Sequence, residues 1–513
     1  MPTVARAGKT TAPEASGNGF LERRSTLWLW SSVALGAVLR LIALGHKSFW
    51  IDEIASVVIA QKPSAAFWHF LWHDEGNMAL YYMLLRPWLD LGNSEAVVRL
   101  LSVLPGVLTI PLMYLLGKRL FGRDTGMLAA ALFALNACAI ASSQDARAYS
   151  FLVLAVVVST YCFVRLVEEP SYRFAIEYGI VAGLTCYFHY FGVLVPAAHA
   201  ISLLALTSIG THSSKGGLSG ALGGSSEATG RWPWKPYAVA GIIFVLFAIP
   251  VLWLIHAQDI GHLSWVQPPS LLEFYHLGVF LAADGGKAVG AVLLALYLVL
   301  IGFFLASLPV VWRQASDDRQ RWGYALVASS FFSPIVIVLI VSIVRPAFYH
   351  RFLILCLPAF VMMTAVGALR IRHRLLRISA VAGVCILSLV ATVIAYTRVT
   401  EDWRGAVSYL IAESHPADRV VFYQSLGAFA AENYWNWLPG GAAPRAKEVD
   451  VNPASSDWER QIGDAPRVWL VLYRAKVDDA EARAIEQELL KKYGTGEEKN
   501  FRGVSVIEYS ARR

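Results

Sequence analysis

Residues 237–255 read YAVAGIIFVLFAIPVLWLI, nineteen positions without a charge. As an α-helix that run rises about 28 Å, close to the ~30 Å hydrocarbon core of a bilayer. It is not alone. Further apolar stretches recur near 26–45, 96–117, 124–142, 148–167, 174–188, 190–209, 288–312, 323–344, 352–369 and 378–397. Only 16% of the 513 residues are charged, where a soluble chain carries about 25%. The deficit sits in those stretches. The chain therefore reads as an all-α polytopic membrane protein of about 11 transmembrane helices.

The net charge is +7, which could suggest a nucleic-acid partner. The positions of the cations exclude that class. Placing the N-terminus inside puts 17 Lys and Arg in the inner loops against 8 in the outer ones, the bias of cytoplasmic loops. An odd number of spans then leaves the C-terminus outside. The expected location is the plasma (inner) membrane, with the outer loops extracytoplasmic or periplasmic. The five cysteines lie in or beside apolar runs and show no CxxC spacing, so buried inert thiols are expected and no disulfide.

Three segments differ from the spans. Residues 1–25 are small and polar and read as a disordered cytoplasmic tail. The inner loop 210–235 is Gly/Ser-rich and reads as a linker. The outer loop 46–95 contains AAFWHFLW (65–72) and LYYMLLRPWLDLG (80–92), too short to span and rich in aromatics. Those are interfacial helices at headgroup level. Residues 26–400 form the membrane domain. From 401 to 513 the composition becomes soluble: RVVFYQ (419–424), RVWLVLY (467–473) and VSVIEYS (504–510) read as strands, AEARAIEQELLKKY (480–493) as a helix. A C-terminal α/β domain outside the membrane is expected.

The sharpest chemistry is Asp52-Glu53 in SFWIDEIAS (48–56), just beyond the first span. A second acidic pair follows, Asp74-Glu75 in WHDEGNMALYY (72–82). Ionisable groups at a membrane edge are costly to retain without a use. The plainer reading makes Asp52 a helix cap and Glu53 a first-turn acid. Candidate anion-binding groups are Arg40 near the outer end of the first span, Arg147 in QDARAYSFLVLA (144–155) and His350-Arg351 in YHRFLILCLP (349–358). Snorkelling to the interface is the alternative for each arginine, and an ion pair with Asp145 is another for Arg147. His256 and His262 in LIHAQDIGHLSW (254–265) could give an imidazole to a metal shared with Glu75.

SFWIDEIAS after a first span, EGN followed by LYY, then SEAVVRLLSVLPGVLTIPLMYLLGKRLFG (94–122), QDARAYSFLVLA and YHRFLILCLP resemble, in that order, the protein O-mannosyltransferase-like family. Its relatives include the bacterial aminoarabinose transferases. The resemblance covers roughly residues 26–400. It implies the C-type glycosyltransferase fold, with the active site in the first outer loop. The implied reaction moves a sugar from a polyprenyl-phosphate donor to a hydroxyl of a lipid, glycan or protein acceptor. It implies Asp52 as base with Glu53 beside it, and a divalent metal at Glu75 in the aminoarabinose-transferase branch. Asp74, Tyr81 and Tyr82 fall in the implied substrate loop. The chain departs from the family at Met78-Ala79, where two prolines are common. DWRGAVSYL (402–410) resembles a segment of bacterial members, with Trp403 and Arg404 read as structural.

The chemistry suits those residue types. A phosphate-linked sugar carries a good leaving group, so a base for the acceptor and positive charge for the phosphate suffice. A neighbouring Glu53 and a low-dielectric edge are expected to sharpen Asp52 as a base. The rival class is a transporter or lipid flippase, which places ionisable groups near the midplane in two similar halves. Here the polar candidates cluster at one face, and no internal symmetry is evident.

Overall fold

The computed structural model describes residues 15–212, 234–257, 266–285, 287–314, 318–423, 425–441, 446–450, 457–473 and 479–510. Among them, seven helices are long and apolar enough to cross a bilayer: Glu95–Phe121, Tyr149–Glu168, Trp234–His256, Ala288–Gln314, Asp318–Val344, His350–Arg370 and Arg374–Thr397. An eighth span is bent by 57° where Arg123–Leu135 meets Ala137–Ser143. The remaining expected stretches are also helical but shorter: Ser25–Leu41, Tyr172–Phe188 and Tyr190–Ala205. The protein is a multi-pass membrane protein. Helix Leu271–Ala283 was not expected from the sequence. Its 13 residues are too few to span, yet residues Val279–Ala283 are buried.

The first helix, α1 (Ala15–Leu41), begins inside the stretch read as a tail, whose residues 1–14 lie outside the described residues. The segment 46–95 folds into short helices: α2 (Ile51–Gln61), α3 (Ser64–His73) and α4 (Ala79–Trp88). Trp68 and Trp72 on α3 stay exposed, as headgroup-level tryptophans do. Met78 caps α4 at φ +64°. A proline ring fixes φ near −65°, so the family's proline is incompatible with this backbone, and the loop takes its own shape here.

The C-terminal domain carries one five-stranded sheet, order β2-β1-β3-β5-β4, from β1 (Arg419–Phe422), β2 (Lys447–Asp450), β3 (Arg467–Tyr473), β4 (Gly496–Phe501) and β5 (Val504–Ser510). β1 pairs parallel with β2 and β3, while β5 pairs antiparallel with β3 and β4. Alternation along the strands splits the side chains between two faces. Val421, Val468, Leu470 and Ile507 pack with Trp458, Ile485 and Leu489 from the domain's own helices. Val420, Phe422, Trp469, Val471 and Val506 instead join the core that contains Phe49, Ile51 and Ile54 of the membrane domain. The soluble domain is therefore not a separate bead. Half of its sheet is packed through to the loop that holds Asp52.

Glu401 makes that junction polar as well as apolar. Its carboxylate accepts the Ile51 backbone N–H (2.9 Å), the Trp403 indole N–H (3.1 Å) and the Tyr473 hydroxyl (2.8 Å). The Ser48 hydroxyl donates to the Glu401 carbonyl (2.6 Å), and the Phe49 N–H to the Tyr434 hydroxyl (2.6 Å). Arg404 donates to the His46 carbonyl (2.6 Å) and pairs with Glu95 (3.3 Å). Trp403 and Arg404 thus hold structure at this joint.

Candidate active site

Asp52 and Glu53 stand in the first turn of α2 but do different work. Glu53 is fully buried. Its two oxygens take a bidentate pair from Arg99 at 2.7 Å each, and accept the N–H groups of Trp50 (3.2 Å) and Ala146 (2.9 Å). Arg99 also ties down the carbonyls of Leu44, Lys47 and Ser48. Such a carboxylate is saturated with donors and fixes the loop. The expectation that Glu53 acts on Asp52 as a bare like charge gives way to this pairing, because Arg99 compensates it.

Asp52 is half-exposed. Among the described residues its carboxylate has no hydrogen bond, while its backbone carbonyl accepts from Arg147 at 3.2 Å and from the Ser56 hydroxyl at 3.0 Å. Arg147 is nearly buried, feels the charges of Asp52 and Glu75, and lies beside the phenols of Tyr82 and Tyr149. Asp52, Arg147, Glu75 and Tyr82 therefore lie in one electrostatic neighbourhood. Tyr81 and Tyr82 are fully buried on α4, and Asp74 is exposed at the end of α3.

On the other side of Trp50 lies a cavity of about 110 Å³. It is lined by four cationic side chains, Lys47, Arg99, Arg351 and Arg398, and three acidic ones, Glu53, Asp145 and Asp284. Arg351 stacks on Trp50 with its guanidinium 5.0 Å from the ring centroid. Trp50 donates its indole N–H to Asp145 at 2.8 Å. Burial first, then Glu53, pushes the Asp145 carboxyl up to about 7, although Arg351 pulls it back. Burial likewise raises Asp284, against the pull of Arg351, Arg398 and Lys47. Arg398 reaches Asp284 at 3.3 Å. Tyr149 lines this cavity and also feels both Arg147 and Asp52, so its ring belongs to both groups.

The expected anion-binding set divides. Arg351 faces the cavity. Arg147 sits with Asp52, and among the described residues it forms no ion pair with Asp145. Arg40 is in neither place. It is wholly buried and donates to Ser143 (3.1 Å) and to the carbonyls of Gly36 (2.9 Å) and Ala134 (3.1 Å), at the break between the two halves of the bent span. A broken helix leaves carbonyls to satisfy, and Arg40 serves them instead of snorkelling or binding phosphate. His350 lies against Glu273 (3.5 Å).

Of the expected metal set, only Glu75 and His256 lie among the described residues. His256 is exposed at the end of its helix, His262 lies outside the described residues, and Glu75 belongs to the Arg147 neighbourhood. Among the described residues, one group of three candidate ligands gathers: Glu273, His276 and His350. Lys47, Asp145, Asp284 and Arg398 were not expected at the site. Each is an ordinary loop charge in sequence, and nothing but the fold brings them within reach of Arg351.

The sequence profile of the dolichyl-phosphate-mannose-protein mannosyltransferase family matches residues 79–222. A search of curated proteins finds no match. Among solved structures, ArnT from Cupriavidus metallidurans bound to undecaprenyl phosphate aligns over 94% of this chain and 98% of its own, at 12% identity and TM-score 0.59. The oligosaccharyltransferase AglB from Archaeoglobus fulgidus, in complex with an inhibitory peptide and a dolichol-phosphate, aligns over 86% of this chain and 69% of its own, at 12% identity and TM-score 0.51. The same enzyme in complex with Zn and sulfate aligns at 12% identity and TM-score 0.52, over 86% and 67% of the two chains. By that profile and by this fold, the chain is similar to the dolichyl-phosphate-mannose-protein mannosyltransferase family and shares the architecture of the C-type glycosyltransferases.

Proposed function

We propose that this protein is an integral-membrane glycosyltransferase that moves a sugar from a polyprenyl-phosphate donor to an acceptor hydroxyl on the extracytoplasmic face. The observation that carries the reading is the cavity where Lys47, Arg351 and Arg398 converge, directly behind the turn that bears Asp52. With Arg99 paired to Glu53 and Arg398 to Asp284, Lys47 and Arg351 against Asp145 leave the pocket with a small positive excess, which suits a lipid phosphate whose tail stays in the bilayer while its head is neutralised. ArnT and AglB, similar in fold, were crystallised with polyprenyl phosphates. The acceptor is the hydroxyl of a lipid, glycan or protein.

In this mechanism Arg351, backed by Lys47 and Arg398, holds the donor phosphate and the charge it gains on leaving. Asp52 takes the proton of the acceptor hydroxyl as that oxygen bonds to C1 of the sugar. The C1–O bond to the phosphate breaks, and polyprenyl phosphate departs with both electrons, which inverts C1. Arg147 steadies the Asp52 backbone from below. Glu53 acts through position, not as a second base.

Mass spectrometry of purified protein with a panel of polyprenyl-phosphate sugars tests the reaction. Asp52→Asn should lower turnover by about 10²–10⁴-fold with donor binding kept. Arg351→Met should chiefly weaken donor binding. Near wild-type transfer by Asp52→Asn would remove Asp52 as the base and redirect the search to Glu75 or Asp74.

A further inference from the structure

Glu273, His276 and His350 form a group that the transfer mechanism leaves unused. Glu273 and His276 are three residues apart on helix Leu271–Ala283 and so share one face. His350 comes from a separate element, the turn His350–Cys356. The His276 Nδ1 is 3.1 Å from Glu273 Oε1, and the His350 Nδ1 is 3.5 Å from Glu273 Oε2. All three ligand atoms lie within 4.8 Å of one another. Glu273 Oε2 and His350 Nδ1 are buried atoms that face each other at 3.5 Å without forming a well-aligned hydrogen bond, which leaves both lone pairs directed into the group.

We propose that these three side chains bind a first-row divalent cation of the zinc class. Metal–ligand bonds of about 2.0–2.2 Å in tetrahedral geometry set ligand atoms about 3.3 Å apart. Each imidazole already lies beside one Glu273 oxygen, His276 at Oε1 and His350 at Oε2, and with one ligand atom from each residue the three lie within 4.8 Å, so the side chains must draw in by about 1 Å to close on an ion. Two imidazoles and one carboxylate leave a coordination position open, as in catalytic zinc sites and facial triads. All three side chains keep some exposure, which leaves the ion a way in.

Position gives the ion its purpose. Residue 351, next to the ligand His350, is the arginine that faces the cavity, and Phe280 both lines the cavity and packs its ring 5.4 Å from His350. An ion bridging Leu271–Ala283 to the turn would fix where Arg351 can stand. This set shares no residue with Glu75, His256 and His262.

The test uses full-length, tag-cleaved protein stripped with chelator and titrated with Co²⁺, read by visible d–d absorption, with zinc content measured separately. Wild type should take up one equivalent, with the intense bands of a low-coordinate site. Glu273→Gln and His350→Gln should each weaken binding by about a hundredfold or more, since even outer-shell losses cost 10–100-fold. Size-exclusion profiles confirm that each variant is folded, and Glu75→Gln should bind as wild type does. No uptake by wild type, full uptake by both variants, or loss on Glu75→Gln alone would each overturn the site. The readout requires no sugar transfer, so failure of the glycosyltransferase reading leaves it standing.

Discussion

Replacing Glu401 by Gln perturbs one buried carboxylate that lies 350 residues from the amide it caps. Three donors converge on it: the Ile51 N–H, the Trp403 indole and the Tyr473 hydroxyl. Hydrogen bonds to a charged acceptor contribute about 1.5–3 kcal/mol and neutral ones about 0.5–1.5, so each weakens by about 1 kcal/mol on amidation. The three together give about 3 kcal/mol, or about 10² in the equilibrium between docked and opened joint. Glu401→Ala would orphan three buried donors at about 2 kcal/mol each, a large part of a typical 5–15 kcal/mol stability, so it is the less informative change. Hydrogen exchange of the peptide covering 48–56 should accelerate by about 10² in Glu401→Gln. Tyr473→Phe, which removes one bond to the charged carboxylate at about 1.5–3 kcal/mol, should accelerate it by about 10- to 10²-fold. Misplacing Asp52 by about 1 Å can cost 10² in rate, so turnover should drop while donor KM stays near wild type. Unchanged exchange at 48–56, or acceleration spread evenly over Glu95–Phe121 as well, would refute the idea that the C-terminal domain clamps the Asp52 turn.

Arg99→Met should destabilise the protein by about 3–5 kcal/mol, because it strands Glu53 as a buried unpaired charge; Glu53→Leu added to it should restore part of the melting temperature, and a double mutant no better than the single would argue against the pairing. Asp145 supplies a pH dependence. With its carboxyl raised to about 7, the folded protein holds a proton between pH ~4 and 7 that the unfolded chain has lost, so this contribution to stability falls as pH rises through that window and levels off above it. Protonation also leaves the cavity more cationic. Donor KM for a phosphodiester-linked sugar, which does not titrate there, should fall as pH drops from 8 to 6, and Asp145→Asn should flatten the profile. On topology, Ser225→Cys should resist an impermeant thiol reagent in intact cells while the exposed Glu432→Cys reacts; the reverse pattern would invert the orientation drawn from loop charges.

The spans and the short helices of 46–95 could be read in the sequence because both are consequences of composition. A run without charges belongs in hydrocarbon whatever surrounds it. The strands of the C-terminal domain were likewise visible, since alternation is local. Partnerships were not. Arg40 carries the right chemistry for phosphate, yet a break at Asn136, 96 residues away, claims it. Helix Leu271–Ala283 does not stand out in the sequence because 13 residues, with Glu273 and His276 among them, are too few for a span. Its Glu-x-x-His was then invisible as a ligand pair, and His350 was assigned to phosphate instead.

The division of labour between Asp52 and Glu53 was legible all the same, had the helix been taken seriously. Consecutive residues on an α-helix point about 100° apart. An adjacent acidic pair in a first turn cannot present both carboxylates to one site. If one faces the open side, its neighbour turns toward the core and must find a cation there, because an unpaired buried carboxylate is too costly to keep. Arg99 is that cation. It lies on Glu95–Phe121, the long span that follows segment 46–95, and fixes the Asp52 turn to the membrane domain from one side while Glu401 fixes it from the other. The exposed acid is held still by two buried ones, and a residue so held can keep its place while the groups it reacts with come and go.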